Sequence, residues 1–249
     1  MNDERASDRT VLKISGGDAR KFLQDLVTNN LDNPGLIYAA LLTPQGKYLF
    51  DFFLLEQDDH WLLDVKSVCA AALAQRLTMY RLRADVIIED SGLSMQRGLG
   101  AAPVGAVVDP RHATLGWRLY GAGAGGAVDI DWDAIRVEHC IPETGIELIT
   151  DETYILEAGF ERLNGVDFKK GCYVGQEISA RMKHKTELRK GLASVEITGA
   201  APIGTPITSN GKAAGVLYTQ ADGKAIAHLR FDRAKGDLLA GDAVIRLTA

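Results

Sequence analysis

Apolar and polar positions along residues 11–90 switch between a two-residue and a 3.6-residue period, and each switch predicts an element. Val11-Leu12-Lys13-Ile14 predicts a strand, Gly16-Gly17 a turn, and Asp18 the N-cap of a helix with Phe22, Leu23, Leu26 and Val27 on one face. Apolar runs at 36–43 and 48–55 predict a hairpin, because Thr43-Pro44-Gln45-Gly46-Lys47 between them has proline and glycine where a turn needs them. Trp61 to Val65 predicts a third strand. Ser67 then caps an Ala- and Leu-rich helix ending near Tyr80, and 82–88 returns to strand. Strands joined by tight turns point to a mixed, largely antiparallel α+β fold.

The signal weakens over 91–150, where glycines interrupt every run. Gly121-Ala122-Gly123-Ala124-Gly125-Gly126 has the spelling of a dinucleotide-binding loop, but the repeated parallel units that such a loop serves are missing, so it reads as a flexible connection. Asp131 to Cys140 predicts a helix with Trp132, Ile135 and Val137 as its apolar members, stopped by Pro142. Beyond Leu188 come short β-prone runs at 192–197, 206–208, 214–219, 225–229 and 243–247. Asn210-Gly211, Asp222-Gly223 and Gly241-Asp242 turns divide them. That spacing predicts a small closed or sandwiched β module, with its boundary near Glu187.

Composition narrows the class. With 46% hydrophobic and 24% charged residues, the 249-residue chain can bury a core without disulfide or metal support. Its three cysteines (Cys69, Cys140, Cys172) are odd in number and form no C-x-x-C pair, which fits a reducing cytoplasm rather than a secreted framework. The first ten residues are polar and acidic, unlike a signal or transit peptide, and read as a frayed tail. No run of about 18 apolar residues predicts a membrane span. A net charge of -5 gives no general affinity for nucleic acid.

Charge is concentrated in one stretch. Between Lys169 and Lys190 seven Lys or Arg stand against Glu177 and Glu187, a balance of +5 in a chain whose total is -5. Within it Cys172 follows two lysines and lies between Gly171 and Gly175, which permit tight backbone geometry. A helix starting at Gln176 would bring its positive end close by, and both features favour a reactive thiolate. Cys69 and Cys140 lie in apolar helical patterns and read as buried filler.

Lys170-Gly171-Cys172-Tyr173-Val174-Gly175-Gln176-Glu177, followed by Ala180-Arg181, resembles the signature of the YgfZ family of folate-binding iron–sulfur cluster assembly factors. Gly16, Asp18-Ala19, Phe22-Leu23-Gln24 and Thr28 resemble that family's first helix, and Gln45-Gly46-Lys47 its first hairpin. The family is related to the glycine-cleavage T-protein, an aminomethyltransferase that uses tetrahydrofolate. The resemblance implies a three-lobed α+β molecule: a folate-binding region over 1–186, made of a discontinuous lobe (about 1–50 with 134–186) and a second lobe (51–133), then a β-barrel over 187–249. It also implies tetrahydrofolate or a related reduced folate as cofactor, with no permanently bound metal, and iron–sulfur client or assembly proteins as partners.

The family's folate-contacting tryptophan, six residues before a glutamate, corresponds to Trp132 and Glu138. Lys170, Tyr173, Gln176, Glu177 and Arg181 of the motif are the other folate-binding candidates, with Cys172 as the reactive thiol or a transient cluster ligand. Another tryptophan that some relatives carry before the first strand is replaced here by Arg9. Relatives that transfer one-carbon units carry two adjacent acids after the first hairpin; here Phe50-Asp51 leaves only Asp51. A folate-dependent aminomethyltransferase is therefore the alternative reading, and a binder of nucleic acid or acidic protein through the basic stretch ranks below both, lacking any recognisable module. The five histidines are scattered without metal-ligand spacing.

Overall fold

The computed structural model describes residues 3–123, 130–184 and 188–247. The chain divides into two compact units, Met1–Ile130 with Glu161–Gln176, and Asp131–Phe160 with Glu177–Ala249. The first unit runs β1 (Asp3–Arg5), β2 (Arg9–Ser15), α1 (Ala19–Leu26), β3 (Leu36–Leu42), β4 (Tyr48–Glu56), β5 (His60–Lys66), α2 (Ser67–Arg81), β6 (Ile87–Asp90), β7 (Ser94–Gly98), β8 (Val107–Val108) and β9 (Trp117–Gly121). Among the described residues it holds two antiparallel sheets, ordered β3-β4-β5-β2-β6 and β1-β7-β9-β8.

The five-stranded sheet is covered on both faces, which is why β3, β4 and β5 read as nearly unbroken apolar runs. On one face Leu12, Ile14, Ala39, Phe52, Leu54 and Leu63 pack with Phe22, Leu23 and Leu26 of α1 and Leu73 and Leu77 of α2. The pleat sends alternate residues the other way, so the register sets Val11, Tyr38, Asp51, Phe53 and Asp64 on the opposite face. There Val11 and Leu62 meet Ala6 and Met95 in a small apolar cluster, and beside it the packing is ionic.

Several expectations are corrected. The amino-terminal segment is not a frayed tail: β1 pairs with β7 from Asp3↔Gly98 to Arg5↔Gln96, and the Ala6 N–H donates to Met95 O at 3.0 Å. Residues 82–86 are not strand. Leu82 at φ 48° breaks the chain direction after α2, and β6 begins only at Ile87. The weak stretch after residue 90 supplies β7, β8 and β9, whose partners are each other and the distant β1. The segment 124–126 of the glycine-rich loop and the boundary expected near Glu187 lie outside the described residues.

The second unit contains α3 (Trp132–Glu138), α4 (Gln176–His184, whose first residue belongs to the first unit), β10 (Lys190–Thr198), β11 (Pro206–Ser209), β12 (Lys212–Ala221), β13 (Lys224–Arg230), β14 (Leu238–Ala240) and β15 (Ala243–Leu247). The six strands close into an antiparallel barrel in the order β10-β13-β12-β11-β14-β15. Asn210-Gly211 and Asp222-Gly223 each place two successive residues at positive φ, the turn geometry that matches strand twist in a two-residue hairpin. β14 is the barrel strand that the sequence pattern did not announce. Asp131 caps α3 by accepting from the Ala134 N–H at 2.9 Å. Arg136 then ties α3 to the barrel, donating to Glu147 at 3.1 Å and to Thr219 Oγ1 at 3.1 Å.

Candidate functional site

The loop carrying Cys172 is built onto the end of α1. The last carbonyls of a helix have no partner within it, and here a side chain 140 or more positions away supplies one. Lys170 Nζ donates to the carbonyls of Gln24 at 2.7 Å, Val27 at 2.6 Å and Asn29 at 2.9 Å. An ammonium has three N–H donors, so all are used. Burial pushes the Lys170 pKa down to about 8, opposed in part by the nearby Asp167 and Asp25 carboxylates. Upstream, Thr28 Oγ1 donates to Gly165 O at 2.7 Å, the Asp167 N–H donates to Thr28 O at 3.0 Å, and Asn29 Nδ2 donates to Asn164 O at 2.6 Å. The approach to the motif is thus stitched to the connection between α1 and β3.

The other side of the loop is fixed by packing. Tyr173 is buried, its ring centroid 5.4 Å from Lys170 Nζ, and Val174 packs against the core beneath α1. Gly175 has φ +82°, and a Cβ on it would lie 2.5 Å from Thr43 O in the turn of the first hairpin. Only glycine fits both the angle and the space. The structure therefore brings together Gln45-Gly46-Lys47 and the Cys172 motif, two matches far apart in sequence. Between these anchors Gly171 and Cys172 are exposed; Cys69 is half-buried and Cys140 buried.

The remaining candidates do not gather around the thiol. Asp51 is buried, and each carboxylate oxygen accepts from a tyrosine: Tyr48 Oη at 2.7 Å and Tyr38 Oη at 3.1 Å. Trp132 and Glu138 open and close α3, about 120° apart around a helix of 3.6 residues per turn, so one face does not present both. Trp132 is half-buried, whereas Glu138 is exposed and paired with Lys224, whose hydrogen bond lowers its pKa. Gln176 is half-buried at the start of α4, and Glu177 and Arg181 are exposed one turn apart. Of the basic stretch, Lys190 pairs with Glu157 at 3.3 Å, and Lys185 lies outside the described residues. Among the described residues no group of three or more His, Cys, Asp or Glu could hold a metal, and no helix is long and apolar enough to cross a membrane.

Sequence reasoning missed a buried ionic cluster in the first unit. Asp64 receives Arg9 Nε at 2.7 Å, Arg118 Nη1 at 2.8 Å and Tyr120 Oη at 2.9 Å; Asp109 receives Arg111 Nη2 at 2.9 Å and Arg118 Nε at 2.8 Å. Phe53 lies under this array, with the Arg118 guanidinium 3.7 Å from its ring centroid. Burial alone would raise the Asp109 pKa, but the charges of Arg111 and Arg118 overturn it and hold the carboxyl well below its ordinary range. Burial and the nearby Asp64 carboxylate raise the pKa of Tyr120. Asp109-Pro110-Arg111 forms a turn, with the Arg111 N–H on Asp109 Oδ1, and its side chains also close the cluster.

Comparison with known proteins decides the family. The chain is 31% identical to the human (Homo sapiens) iron-sulfur cluster assembly factor IBA57, mitochondrial, over 94% of its own length and 79% of that protein's; for the mouse (Mus musculus) protein of the same name the values are 30%, 94% and 79%. The chain belongs to the IBA57 family. Relatives of this IBA57-family chain are thus cluster assembly factors, and IBA57, not YgfZ, is the name they carry. They are also named mitochondrial, which overturns the expectation of a cytoplasmic protein drawn from cysteine usage, since reduced thiols do not distinguish one reducing compartment from another. Residues 189–249 match the family described as CAF17, C-terminal beta-barrel domain. A solved structure of glycine cleavage system aminomethyltransferase T from Bartonella henselae superposes with TM-score 0.76 over 99% of this chain and 84% of that one. At 14% identity the likeness establishes the fold of the IBA57-family chain and not its chemistry.

Proposed function

We propose that this chain binds a reduced folate and assists assembly or repair of iron–sulfur clusters in client enzymes, with the Cys172 thiol as its chemical contact. The observation that carries the reading is the loop: the exposed cysteine occupies a two-residue span held between a buried ammonium and a glycine-locked turn. A donor fixed in advance gives up little freedom when a metal binds. One cysteine supplies one of the four thiolates usual for a cluster, so the cluster is cargo, completed by thiols of a client or assembly partner. The names of the human and mouse relatives support the cluster side of this reading.

A bound reduced folate supplies one-carbon chemistry. Trp132 offers a flat face for its pterin and Glu138 an acceptor in exchange for Lys224, while Gln176, Glu177 and Arg181 offer polar contacts along α4. Lys170 and Tyr173 hold the Cys172 loop instead, since the ammonium has no donor left for an anion. The same accounting argues against Asp51 as a transferase carboxylate, because tyrosine hydroxyls occupy both of its oxygens.

The test is complementation of a strain lacking the protein, scored by the activity of a four-iron-cluster enzyme in extracts. Wild type and Asp51→Ala are expected to restore activity and Cys172→Ala to fail. Failure of Asp51→Ala with rescue by Cys172→Ala would overturn this reading in favour of one-carbon transfer. Equilibrium binding of tetrahydrofolate should weaken about tenfold in Trp132→Ala, the value of a lost aromatic stack.

A further inference from the structure

One end of the barrel carries a hollow that the reading above leaves unused. In the strand order β10-β13-β12-β11-β14-β15, β13 and β14 are consecutive in sequence but not in space, so residues 231–237 cross the ends of β12 and β11 to join them. The crossing connection is pinned on both sides of the β11–β12 hairpin. Buried Ser209, the last residue of β11, donates from Oγ to Lys235 O at 2.9 Å, and Arg233 Nη1 donates to Ala213 O in β12 at 3.1 Å. Ala234 packs against the barrel core, and the Arg233 and Ala234 N–H groups both donate to Arg230 O at 2.9 Å. Hairpin and connection enclose a hollow of about 710 Å³, within the range of roughly 300–1,000 Å³ found for small-molecule sites.

The lining has one sign of charge. Ser209, Asn210, Lys212, Ala213, Arg233 and Lys235 surround the hollow, and no carboxylate is among them. Lys212 comes from the hairpin, Arg233 and Lys235 from the connection, so cations border it on two sides. Among the described residues neither the Lys212 nor the Lys235 ammonium meets a carboxylate, and Arg233 spends one of its five N–H donors on Ala213. The acids on the connection stand elsewhere: Asp232 pairs with Arg230 at 3.5 Å, and exposed Asp237 is not part of the lining. A further cation lies close by, since Arg189, exposed, accepts the Phe231 N–H on its carbonyl at 2.9 Å. In a chain whose net charge is -5, these cations are gathered around one hollow without compensation. Like charges held together repel, and a multivalent anion between them turns that repulsion into binding.

We infer that this end of the barrel is a binding site for an oligophosphate chain, free or carried by a nucleotide, with Lys212, Arg233 and Lys235 as its ligands and the Ser209 and Asn210 side chains as neutral partners. Adjacent phosphoryl groups concentrate several negative charges in a small volume, which suits three cations converging on one hollow. An acidic peptide spreads one carboxylate per residue along its backbone and matches that arrangement less well. Single-stranded nucleic acid is held through bases stacked on aromatic rings, and no ring lines the hollow. For the same reason the base of a nucleotide goes unread. The hollow lies wholly within the barrel and includes no part of the Cys172 loop, so the inference goes beyond the proposed cluster chemistry and does not depend on it.

The test titrates the full chain calorimetrically with inorganic tripolyphosphate and with ATP, in magnesium-free buffer. Both are expected to bind at one site with similar affinity, more weakly as ionic strength rises; a preference for either names the source of the phosphates. Lys212→Gln and Lys235→Gln remove exposed ammonium groups that hold no other structure, and each should weaken binding about fivefold. Lys21→Gln, which removes an exposed cation from α1, should bind as wild type, as should Cys172→Ala, so loss of the cluster reading and loss of this one are separable. Absence of saturable tripolyphosphate binding would overturn the inference, as would binding indifferent to Lys212→Gln and Lys235→Gln or weakened equally by Lys21→Gln. Tighter binding of hexaglutamate than of tripolyphosphate would replace it with an acidic-peptide site, and tighter binding of a single-stranded oligonucleotide with a nucleic-acid surface.

Discussion

The two faces of the five-stranded sheet are made by the same strands and held by opposite physics. On one face Leu12, Phe52, Leu54 and Leu63 meet the two helices through dispersion and the removal of apolar surface from water, and each residue contributes by its own area. On the other, Arg9, Asp64, Asp109, Arg111 and Arg118 form a cluster of three guanidinium groups and two carboxylates over Phe53. Apolar contacts lose strength gradually when one is trimmed. Buried charges do not, because removing one member leaves its partner desolvated and uncompensated. The apolar face thus loses stability in proportion to what is deleted, while the ionic face demands that chain segments some fifty residues apart arrive in one register.

The largest effect should come from Arg118→Met, which keeps the stem's volume and takes donors from Asp64 and Asp109 together. A loss of about 4 kcal/mol is expected in urea unfolding followed by tryptophan fluorescence. A loss under about 1 kcal/mol would mean that the cluster is hydrated in solution and that the two faces are energetically alike. Next comes Leu63→Ala on the apolar face, where deletion of a fully buried side chain should cost about 3 kcal/mol by the same assay. Because Leu63 sits directly across from Leu12 and Leu54, that cost should shrink when either neighbour is already truncated. Arg118→Met combined with Leu63→Ala should instead add, as the two act on opposite faces.

This difference also explains what the sequence made legible. Apolar period and turn residues declare an apolar face, so α1, α2, the strands from β2 to β5, the Thr43 to Lys47 turn and the Asn-Gly and Asp-Gly hairpins of the barrel were all readable. Asp64 is a single acid inside an apolar run, and Asp109, Arg111 and Arg118 lie in the glycine-broken stretch, where nothing local reports that they are buried together. β7 escaped for the same reason: it pairs with β9, some twenty residues on, and with the distant β1, not with a neighbour in an obvious hairpin. At the site, Cys172 stood out by its glycines and charges. The destination of Lys170 did not, since a side chain that binds backbone carbonyls leaves no mark on the residues it binds.

The smallest and sharpest discrimination lies in acid. Asp109 has its pKa held below the ordinary carboxylate value, so the unfolded chain takes up a proton there while the folded chain still refuses it. The stability tied to Asp109 is therefore complete above about pH 4, the unfolded value, and is lost as pH falls through the lower folded value. The slope cannot exceed about 1.4 kcal/mol per pH unit for one proton. Asp109→Asn lacks this proton, so its stability gap from wild type should be widest near neutrality and narrow below about pH 4. Leu63→Ala titrates nothing, and its gap should stay constant over the same range. If the Leu63→Ala and Asp109→Asn gaps ran parallel in urea unfolding at successive pH values, the ionic face would be contributing by shape alone, and the contrast between the faces would collapse into one of packing.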